Sequence, residues 1–307
     1  MLFAKKSLGA EISPSGVGFA LLSGPAAAPR LERVSYRSLP PGCVRLSIRE
    51  PNVIDSQTFL ATVKDAYNTL LYRGTHLSLT LPDAVGRILL LDVEGRFKSR
   101  GEALDIIRWK LKKNMPFEVA DSHLDYQQVG IRENGDMALL VALVSRTVIG
   151  QYEELLVEAG LTPARIDFNI FNLCRTFERR LADRDDVALV AFYDGMLAVM
   201  VMYDGIPEFV RIKDLSGVSD AGRVYLEINS SFLVHRERFP ERLPQQVVCI
   251  APPEMGQDFC AMVTEITSCE TVLLETKSMI TPADDAPGDQ KTLFSFTPAI
   301  GAALRNL

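Results

Sequence analysis

The sequence predicts an α/β protein with two β-meanders, each followed by segments of helical periodicity. The first meander covers residues 8–12, 17–22 and 30–37, with Pro14-Ser15-Gly16 and Gly24-Pro25 at its turns. The second covers residues 187–193, 197–203 and 207–212, with Asp194-Gly195 and Asp204-Gly205 at its turns. Two copies of one α/β unit explain this pattern; two unrelated hairpins in a mixed fold are the alternative.

Length and composition limit the class of protein. A chain of 307 residues is longer than one hydrophobic core usually supports, so we expect two domains. With 47% hydrophobic and 23% charged residues the chain is globular, and a net charge of -6 argues against a general nucleic-acid binder. The five cysteines are odd in number and lack paired metal-ligand spacing, which favours a reducing compartment.

Neither the N-terminus nor the longest apolar run predicts a membrane segment. Lys5 and Lys6 lie near the start, but Glu11 interrupts the apolar residues that a signal peptide would need. The run at residues 187–203 is broken by Asp194-Gly195 and is too short to span a bilayer. We therefore expect a soluble protein that reaches a membrane only through partners or surface contacts.

The segments between the meanders alternate between helix and strand. Apolar spacing predicts a helix over 59–72 and a strand over 76–81. A smaller unit follows, in which we expect strand 88–93, a helix, strands 124–131 and 137–144, and helix 147–159. Ser99 and Glu102 form a capping box at the start of the helix in this unit, and Gly160 is a typical left-handed C-cap. Asn134-Gly135 predicts a type I′ hairpin turn.

The stretch from Ile107 to Tyr126 contains the most specific sequence motif in the chain. It reads Ile107-Arg-Trp-Lys-Leu-Lys-Lys-Asn-Met-Pro-Phe-Glu-Val-Ala-Asp-Ser-His-Leu-Asp-Tyr126. A Trp-containing helix, a Met-Pro-Phe junction and a Leu-Asp-Tyr strand resemble the PilM family, actin-like cytoplasmic proteins of type IV pilus assembly. The segments 159–167, 171–175 and 294–307 also resemble that family, whereas residues 205–290 match it poorly.

The resemblance implies an actin-like ATPase fold made of two ribonuclease-H-like halves. It places subdomain 1A at residues 1–82 and 161–184, with an inserted subdomain 1C at 83–160. It also implies a second domain at 185–292, with a reduced helical subdomain 2B, and a C-terminal helix at 293–307 that returns to the first domain. The implied function is a scaffold at the cytoplasmic side of the inner membrane, and the resemblance allows a homo-oligomeric ring. Its implied partner is the N-terminal cytoplasmic tail of a bitopic PilN-like protein, bound in the groove between 1A and 1C.

The loops that would hold nucleotide in this fold depart from the family pattern. Actin-like ATPases place Asp-x-Gly at two hairpins, because glycine lets backbone amides approach a phosphate closely. Here Glu11 keeps a carboxylate in the first hairpin, but Ser13 replaces the glycine and Pro14 has no amide proton. Tyr193 occupies the second glycine position, with Asp194-Gly195 beside it as a shifted substitute or a plain turn.

The loop expected on the adenosine side reads Ala251-Pro252-Pro253 instead of Gly-Gly. Three altered loops predict a pseudo-ATPase that has lost its ATP and magnesium site. No catalytic or metal-binding residue is predicted. An active actin-like ATPase, and the cytoplasmic scaffold of a type II secretion machine (GspL-like), remain alternatives.

The segment 95–114 reverses the sign of the chain's net charge, since it holds seven basic residues against Glu102 and Asp105. A solvated helix face explains this, and so does a docking surface for an acidic partner or an anionic membrane. The residues that we expect to shape partner binding lie in and just after this segment: Trp109, Lys112, Lys113, Met115, Pro116 and Phe117. Packing in the core of subdomain 1C accounts for Trp109 equally well.

Overall fold

The computed structural model describes residues 5–113, 115, 117–217 and 220–307. Its first elements are β1 (Lys6–Ser13), β2 (Gly16–Ser23), β3 (Arg30–Ser38), α1 (Ser56–Asn68) and β4 (His76–Leu81). The three first strands form the predicted antiparallel meander, and only residues 14 and 15 separate β1 from β2. Helix α1 is capped by the Asp55 carboxylate, which accepts a hydrogen bond of 3.1 Å from the Thr58 amide.

A smaller unit follows, with its own three-stranded sheet. It consists of β5 (Gly86–Val93), α2 (Arg100–Leu111), β6 (Ser122–Ile131), β7 (Met137–Ser145) and α3 (Arg146–Glu158). The strand order is β5-β7-β6, and all pairs are antiparallel. Helix α2 buries Ala103, Ile107 and Leu111, and the last two join a core cluster with Leu139 and Val141 of β7.

Two local predictions in this unit have different outcomes. The Ser99 cap is confirmed, since its hydroxyl accepts from the Glu102 amide at 3.2 Å, but the Glu102 carboxylate accepts from the amide of Lys98 and not from that of Ser99, so the capping box is only half formed. The type I′ turn at Asn134-Gly135 is wrong, because that turn needs positive φ at both residues and only Gly135 has it. The Asn134 side chain instead accepts a hydrogen bond of 3.1 Å from the Asp136 amide.

The chain then returns to the first sheet through β8 (Thr162–Phe168), α4 (Asn169–Thr176) and α5 (Glu178–Ala182). Strand β8 pairs in parallel with β4, which itself pairs in parallel with β1. The order of these strands in the sheet is therefore β3-β2-β1-β4-β8. The smaller unit is inserted between β4 and β8, two neighbouring strands of the same sheet.

The second domain repeats this topology. Its elements are β9 (Val187–Tyr193), β10 (Met196–Tyr203), β11 (Ile206–Asp214), α6 (Ala221–Arg238), β12 (Gln246–Ile250), α7 (Gly256–Thr267) and β13 (Thr271–Leu273). The sheet order β11-β10-β9-β12-β13 matches that of the first domain strand for strand. The predicted duplication is confirmed, and the alternative of two unrelated hairpins is wrong.

The C-terminal segment belongs to the first domain from an earlier point than expected. It contains β14 (Thr281–Pro282), α8 (Gln290–Phe294) and α9 (Thr297–Leu304). The boundary expected at residue 292 comes too late, because β14 already pairs with Arg30 and Leu31 of β3. Helix α9 packs closely on β1: a methyl group at Gly9 would lie 1.9 Å from the Ala299 carbonyl oxygen.

The inserted unit also contacts the second domain through an ion triad. Arg132, just after β6, donates to Asp92 of β5 at 2.9 Å and to the Glu208 carboxylate of β11. The side chains of Arg132 and Glu208 are 21% and 12% exposed, so solvent screens this contact less than an ordinary surface pair. Among the described residues, no helix has the length and hydropathy needed to cross a bilayer.

Candidate functional site

The two predicted phosphate hairpins meet at a cleft between the domains. A cavity of about 430 Å³ lies there, and Glu11, Ser13, Tyr193 and Asp194 all line it. These four side chains, from both hairpins, therefore lie around one cavity. Gly195 is not among the lining residues; it is the second residue of the β9–β10 turn, with φ of 74° after 48° at Asp194.

Tyr193 crosses from the second domain to the first and fills the position between the hairpins. Its hydroxyl donates a hydrogen bond of 2.9 Å to Glu11 Oε2 and lies 3.2 Å from the Ser295 carbonyl oxygen. Its ring packs on Phe294, with 5.3 Å between the ring centroids. Tyr193 therefore connects β1, β9 and the C-terminal segment at a point where an ATPase leaves room for phosphate.

Buried carboxyl groups determine the electrostatics of this cleft. Desolvation raises the pKa of the buried Glu11 carboxyl well above its ordinary value, although the hydrogen bond from Tyr193 lowers it in part. Desolvation also raises the pKa of Asp194 to about 6, and repulsion from Asp214 adds to the shift. The residues that line the cavity include no lysine or arginine, so the phosphate charge would meet carboxyl groups without a cation.

The described residues also lack a ready metal site. No group of three or more His, Cys, Asp or Glu side chains in this part of the chain is arranged to hold a metal ion. On the adenosine side, β12 ends at Ile250, and the Met255 amide donates to the Pro252 carbonyl at 3.0 Å to close a turn. Prolines at 252 and 253 have no amide proton to offer a ligand.

A second, larger cavity lies between the first domain and the inserted unit. It has a volume of about 650 Å³, within the range typical of ligand sites. Residues of β6 and β7 form one wall, and residues of β8 form the other. It lies at the position where the family resemblance implies a peptide groove between subdomains 1A and 1C, and we call it the 1A–1C groove.

The walls of the 1A–1C groove come from two edge strands. Strand β8 is the last strand of its sheet and pairs only with β4, while β6 is the last strand of the small sheet and pairs only with β7, within the described part of the chain. Each edge has backbone groups without a strand partner, and such edges pair readily with an extended chain. The groove therefore has the elements needed for strand addition.

The floor of the groove is apolar, and its rim is charged. Leu140, Ile166 and Phe171 are half-buried and face the cavity. On the rim, Arg305 pairs with Asp167 at 3.0 Å and Arg100 pairs with Asp125 at 2.7 Å. Arg165 also lines the groove, and its charge acts on Asp167, but among the described residues it forms no ion pair within 4.0 Å, so it is available to an acidic group of a ligand.

The partner residues predicted from sequence lie elsewhere in the inserted unit. Trp109, Lys112 and Lys113 are exposed and do not line the groove, and the exposure of Trp109 rules out the core packing that was its alternative explanation. Met115 and Phe117 are half-buried against the core cluster of α2 and the small sheet. Pro116 lies outside the described residues.

The groove residues Leu140, Arg165, Ile166 and Phe171 were not predicted as site residues. They lie in ordinary strand and helix patterns, and they become a site only where two separate sheets approach each other. The sequence indicated this groove only indirectly. A unit inserted between two neighbouring strands must contact the first domain where the chain enters and leaves it, and a groove can form at that contact.

Comparisons with known proteins agree with this architecture. No protein-family model matches the chain, and no curated protein matches it by sequence. The solved structure of a PilM-PilN type IV pilus biogenesis complex superposes with a TM-score of 0.79 and 18% identity, covering 97% of this chain and 98% of that chain.

Two further solved structures share the fold at lower similarity. One is the cytoplasmic domain of EpsL, an inner-membrane component of the Vibrio cholerae type II secretion system, with a TM-score of 0.52, 11% identity and coverage of 96% and 95%. The other is a Bacteroides thetaiotaomicron protein described as having an actin-like ATPase fold, with a TM-score of 0.52, 9% identity and coverage of 91% and 93%. The chain therefore has the actin-like ATPase fold, in an arrangement similar to that of PilM.

Proposed function

We propose that this protein is a non-catalytic scaffold of type IV pilus assembly that binds an extended peptide in the 1A–1C groove. The peptide would be the N-terminal cytoplasmic tail of a PilN-like inner-membrane protein, so the scaffold would work at the cytoplasmic side of that membrane. The observation that carries this proposal is the pair of edge strands, β8 and β6, beside one cavity with an apolar floor.

Strand addition gives a peptide both affinity and specificity. Backbone hydrogen bonds to an open edge supply affinity, and pockets for alternate side chains select the sequence. Here the half-buried Leu140, Ile166 and Phe171 would accept apolar side chains, while Arg165 would favour a carboxylate on the peptide. The similarity to the PilM-PilN complex over 97% of the chain supports a partner of this kind.

The closed cleft supports a scaffold that works without nucleotide turnover. Tyr193 and Glu11 bond to each other across the space between the hairpins. An ATP molecule would have to break that bond and separate the Tyr193 and Phe294 rings. The lining residues also include no lysine or arginine to pair with a phosphate, which weighs against the active ATPase alternative.

A scaffold of a type II secretion machine is the second candidate, because the EpsL cytoplasmic domain shares the fold. The TM-score of 0.79 for the pilus complex against 0.52 for EpsL favours the pilus assignment. A peptide from the cytoplasmic segment of a type II secretion inner-membrane protein, tested beside the PilN-like peptide, separates the candidates.

The test is a titration with a synthetic peptide of the N-terminal cytoplasmic segment of the PilN-like protein from the same genome. Replacing Leu140 with Glu places a charge on the groove floor, and we expect it to weaken binding by about tenfold or more, as expected for a buried anchor. Ile131→Glu is the matched control, because Ile131 is 63% exposed in the same unit and lies outside the groove.

The proposal requires binding by the wild-type protein and by Ile131→Glu, together with its loss in Leu140→Glu. Equal affinity of all three proteins for the peptide would contradict the groove assignment. Tighter binding of the corresponding type II secretion peptide would support the second candidate instead.

A further inference from the structure

Helix α2 presents an exposed tryptophan that the groove does not use. Trp109 is 76% exposed and is the only tryptophan of the chain. Lys112 is the C-cap of α2 and has helical backbone angles, so it lies beside Trp109 on the last turn, and the exposed Lys113 follows directly after it. We call Trp109, Lys112 and Lys113 the Trp109 patch.

The patch lies in a segment with a local excess of basic residues. The segment 95–113 has seven basic and two acidic residues, in a chain whose net charge is -6. Of the two acids, the Glu102 carboxylate accepts from the Lys98 backbone amide, and Asp105 pairs with Arg108 at 3.5 Å. Among the described residues, neither patch lysine forms an ion pair with a carboxylate, whereas Arg100 pairs with Asp125.

The position and the residue types of the patch favour a membrane surface, rather than a peptide, as its binding partner. None of the patch residues lines the 1A–1C groove, the interdomain cleft or the third cavity beside Arg175. Tryptophan is enriched at the interface between membrane and water, where its ring lies at the level of the lipid headgroups. Lysine carries a compact charge on a flexible stem, which suits a diffuse layer of lipid phosphates rather than a fixed bidentate partner.

We infer that the Trp109 patch binds an anionic lipid bilayer directly, with Trp109 at the headgroup level and the lysines against lipid phosphates. The opposite charges of the patch and of anionic lipids are complementary, and juxtamembrane lysines are attracted to such surfaces. This contact is independent of the peptide groove, so a scaffold held by a membrane protein's tail would gain a second point of attachment. Two weak attachments strengthen each other by raising the effective local concentration.

The experiment mixes the purified chain with vesicles of phosphatidylglycerol and phosphatidylcholine, or of phosphatidylcholine alone, without any peptide. Trp109 reports its own environment, because it is the only tryptophan. We expect its emission to shift to shorter wavelength only with the anionic vesicles, and to return at high salt because salt screens surface charges.

Co-sedimentation of variants identifies the surface that binds. Lys112→Glu with Lys113→Glu should weaken vesicle binding by about tenfold or more, since each lysine near an anionic surface contributes several-fold. The matched control is Lys64→Glu with Lys291→Glu, two exposed lysines outside the patch that give the same change in net charge. Trp109→Ala should also weaken binding, whereas Leu71→Ala, at a site 78% exposed and outside the patch, should not.

Equal binding to both kinds of vesicle, or equal losses in both lysine pairs, would overturn the inference. So would an emission shift caused by an acidic polypeptide such as polyglutamate but not by anionic vesicles, since the patch would then bind protein. The peptide titration at the groove is unaffected by any of these results, so the two proposals fail separately.

Discussion

The hydroxyl of Tyr193 lies 2.9 Å from Glu11 Oε2, and this contact joins the two domains at the centre of the closed cleft. Burial favours a neutral Glu11, and a protonated carboxyl can itself donate to Tyr193, which leaves the Tyr193 hydroxyl to donate to the Ser295 carbonyl 3.2 Å away. The Glu11 carboxyl, the Tyr193 hydroxyl and the Ser295 carbonyl then have hydrogen-bond partners in one another, without a ligand. Asn169 contributes a longer contact of 3.4 Å to the other carboxyl oxygen.

Replacing Tyr193 with Phe tests the strength of this contact. The ring and its packing on Phe294 are retained, but Glu11 loses its hydroxyl partner in a buried site. We expect the free energy of unfolding to fall by about 1–3 kcal/mol, the cost of leaving a buried polar group without its hydrogen bond. Denaturant unfolding measures it, and an unchanged midpoint would show that the contact contributes nothing to stability.

The stability of the protein should depend on pH through Glu11. Its folded-state pKa is raised above the unfolded value of about 4.3, so its contribution is fully present below that pH and is lost as pH rises toward the folded pKa. Glu11→Gln removes this titration and keeps the shape of the side chain. The stability of Glu11→Gln relative to wild type should therefore rise between pH 5 and 8, by up to about 1.4 kcal/mol per pH unit.

Thermal melts at several pH values check this prediction. Asp55→Asn is a useful contrast, because hydrogen bonds from Thr58 lower the pKa of that exposed carboxyl. If the difference in stability between Glu11→Gln and wild type stays constant from pH 5 to 8, folding does not change the protonation of Glu11 in that range, and the prediction is wrong.

ATP with magnesium should leave the melting temperature unchanged. A ligand that binds the native state at a hundred times its dissociation constant stabilises it by about 2.7 kcal/mol, a shift that is easy to detect. The closed Tyr193–Glu11 contact and the absence of lining cations predict no such shift. A clear upward shift at millimolar ATP would contradict the pseudo-ATPase proposal.

The Arg132 triad should stabilise the contact between the inserted unit and the second domain. Replacing Arg132 with Met leaves Glu208, only 12% exposed, without its partner, and we expect a loss of about 1.5–3 kcal/mol, as for hydrogen bonds to charged groups. Arg132→Met with Glu208→Gln should recover part of the loss, because the unpaired carboxylate is gone. Urea unfolding of the single and double variants measures both effects, and the prediction fails if the double variant is no more stable than the single one.

Phe117→Ala should reduce stability more than it reduces peptide affinity. Phe117 is half-buried against the core cluster of the inserted unit and does not line the groove, so its truncation leaves a cavity there. If Phe117→Ala kept wild-type stability but lost peptide binding, Phe117 would instead belong to the partner-binding site.

Local sequence signals determined much of the fold. Glycine, proline and aspartate at the turns separated the strands of both meanders, and the left-handed Asp194 and Asp204, each before a glycine, lie where the sequence placed them. Ser99 with Glu102, and Gly160, marked the ends of helices because capping depends on residues close in the chain. The altered hairpin loops were also visible in the sequence, since each loop is a contiguous segment.

Tertiary structure alone decided which surfaces became sites. Nothing near Arg165 or Leu140 in the chain shows that β8 and β7 approach each other, because their contact depends on how two sheets pack. Apolar spacing predicted helix α2 but not which of its residues would be exposed. Apolar residues lie on several faces of this helix, and any of these faces could have packed on the sheet, so the exposure of Trp109 depended on tertiary packing. Likewise, the sequence placed Tyr193 at a phosphate position, but only the closing of two domains brought its hydroxyl to Glu11, 182 residues away.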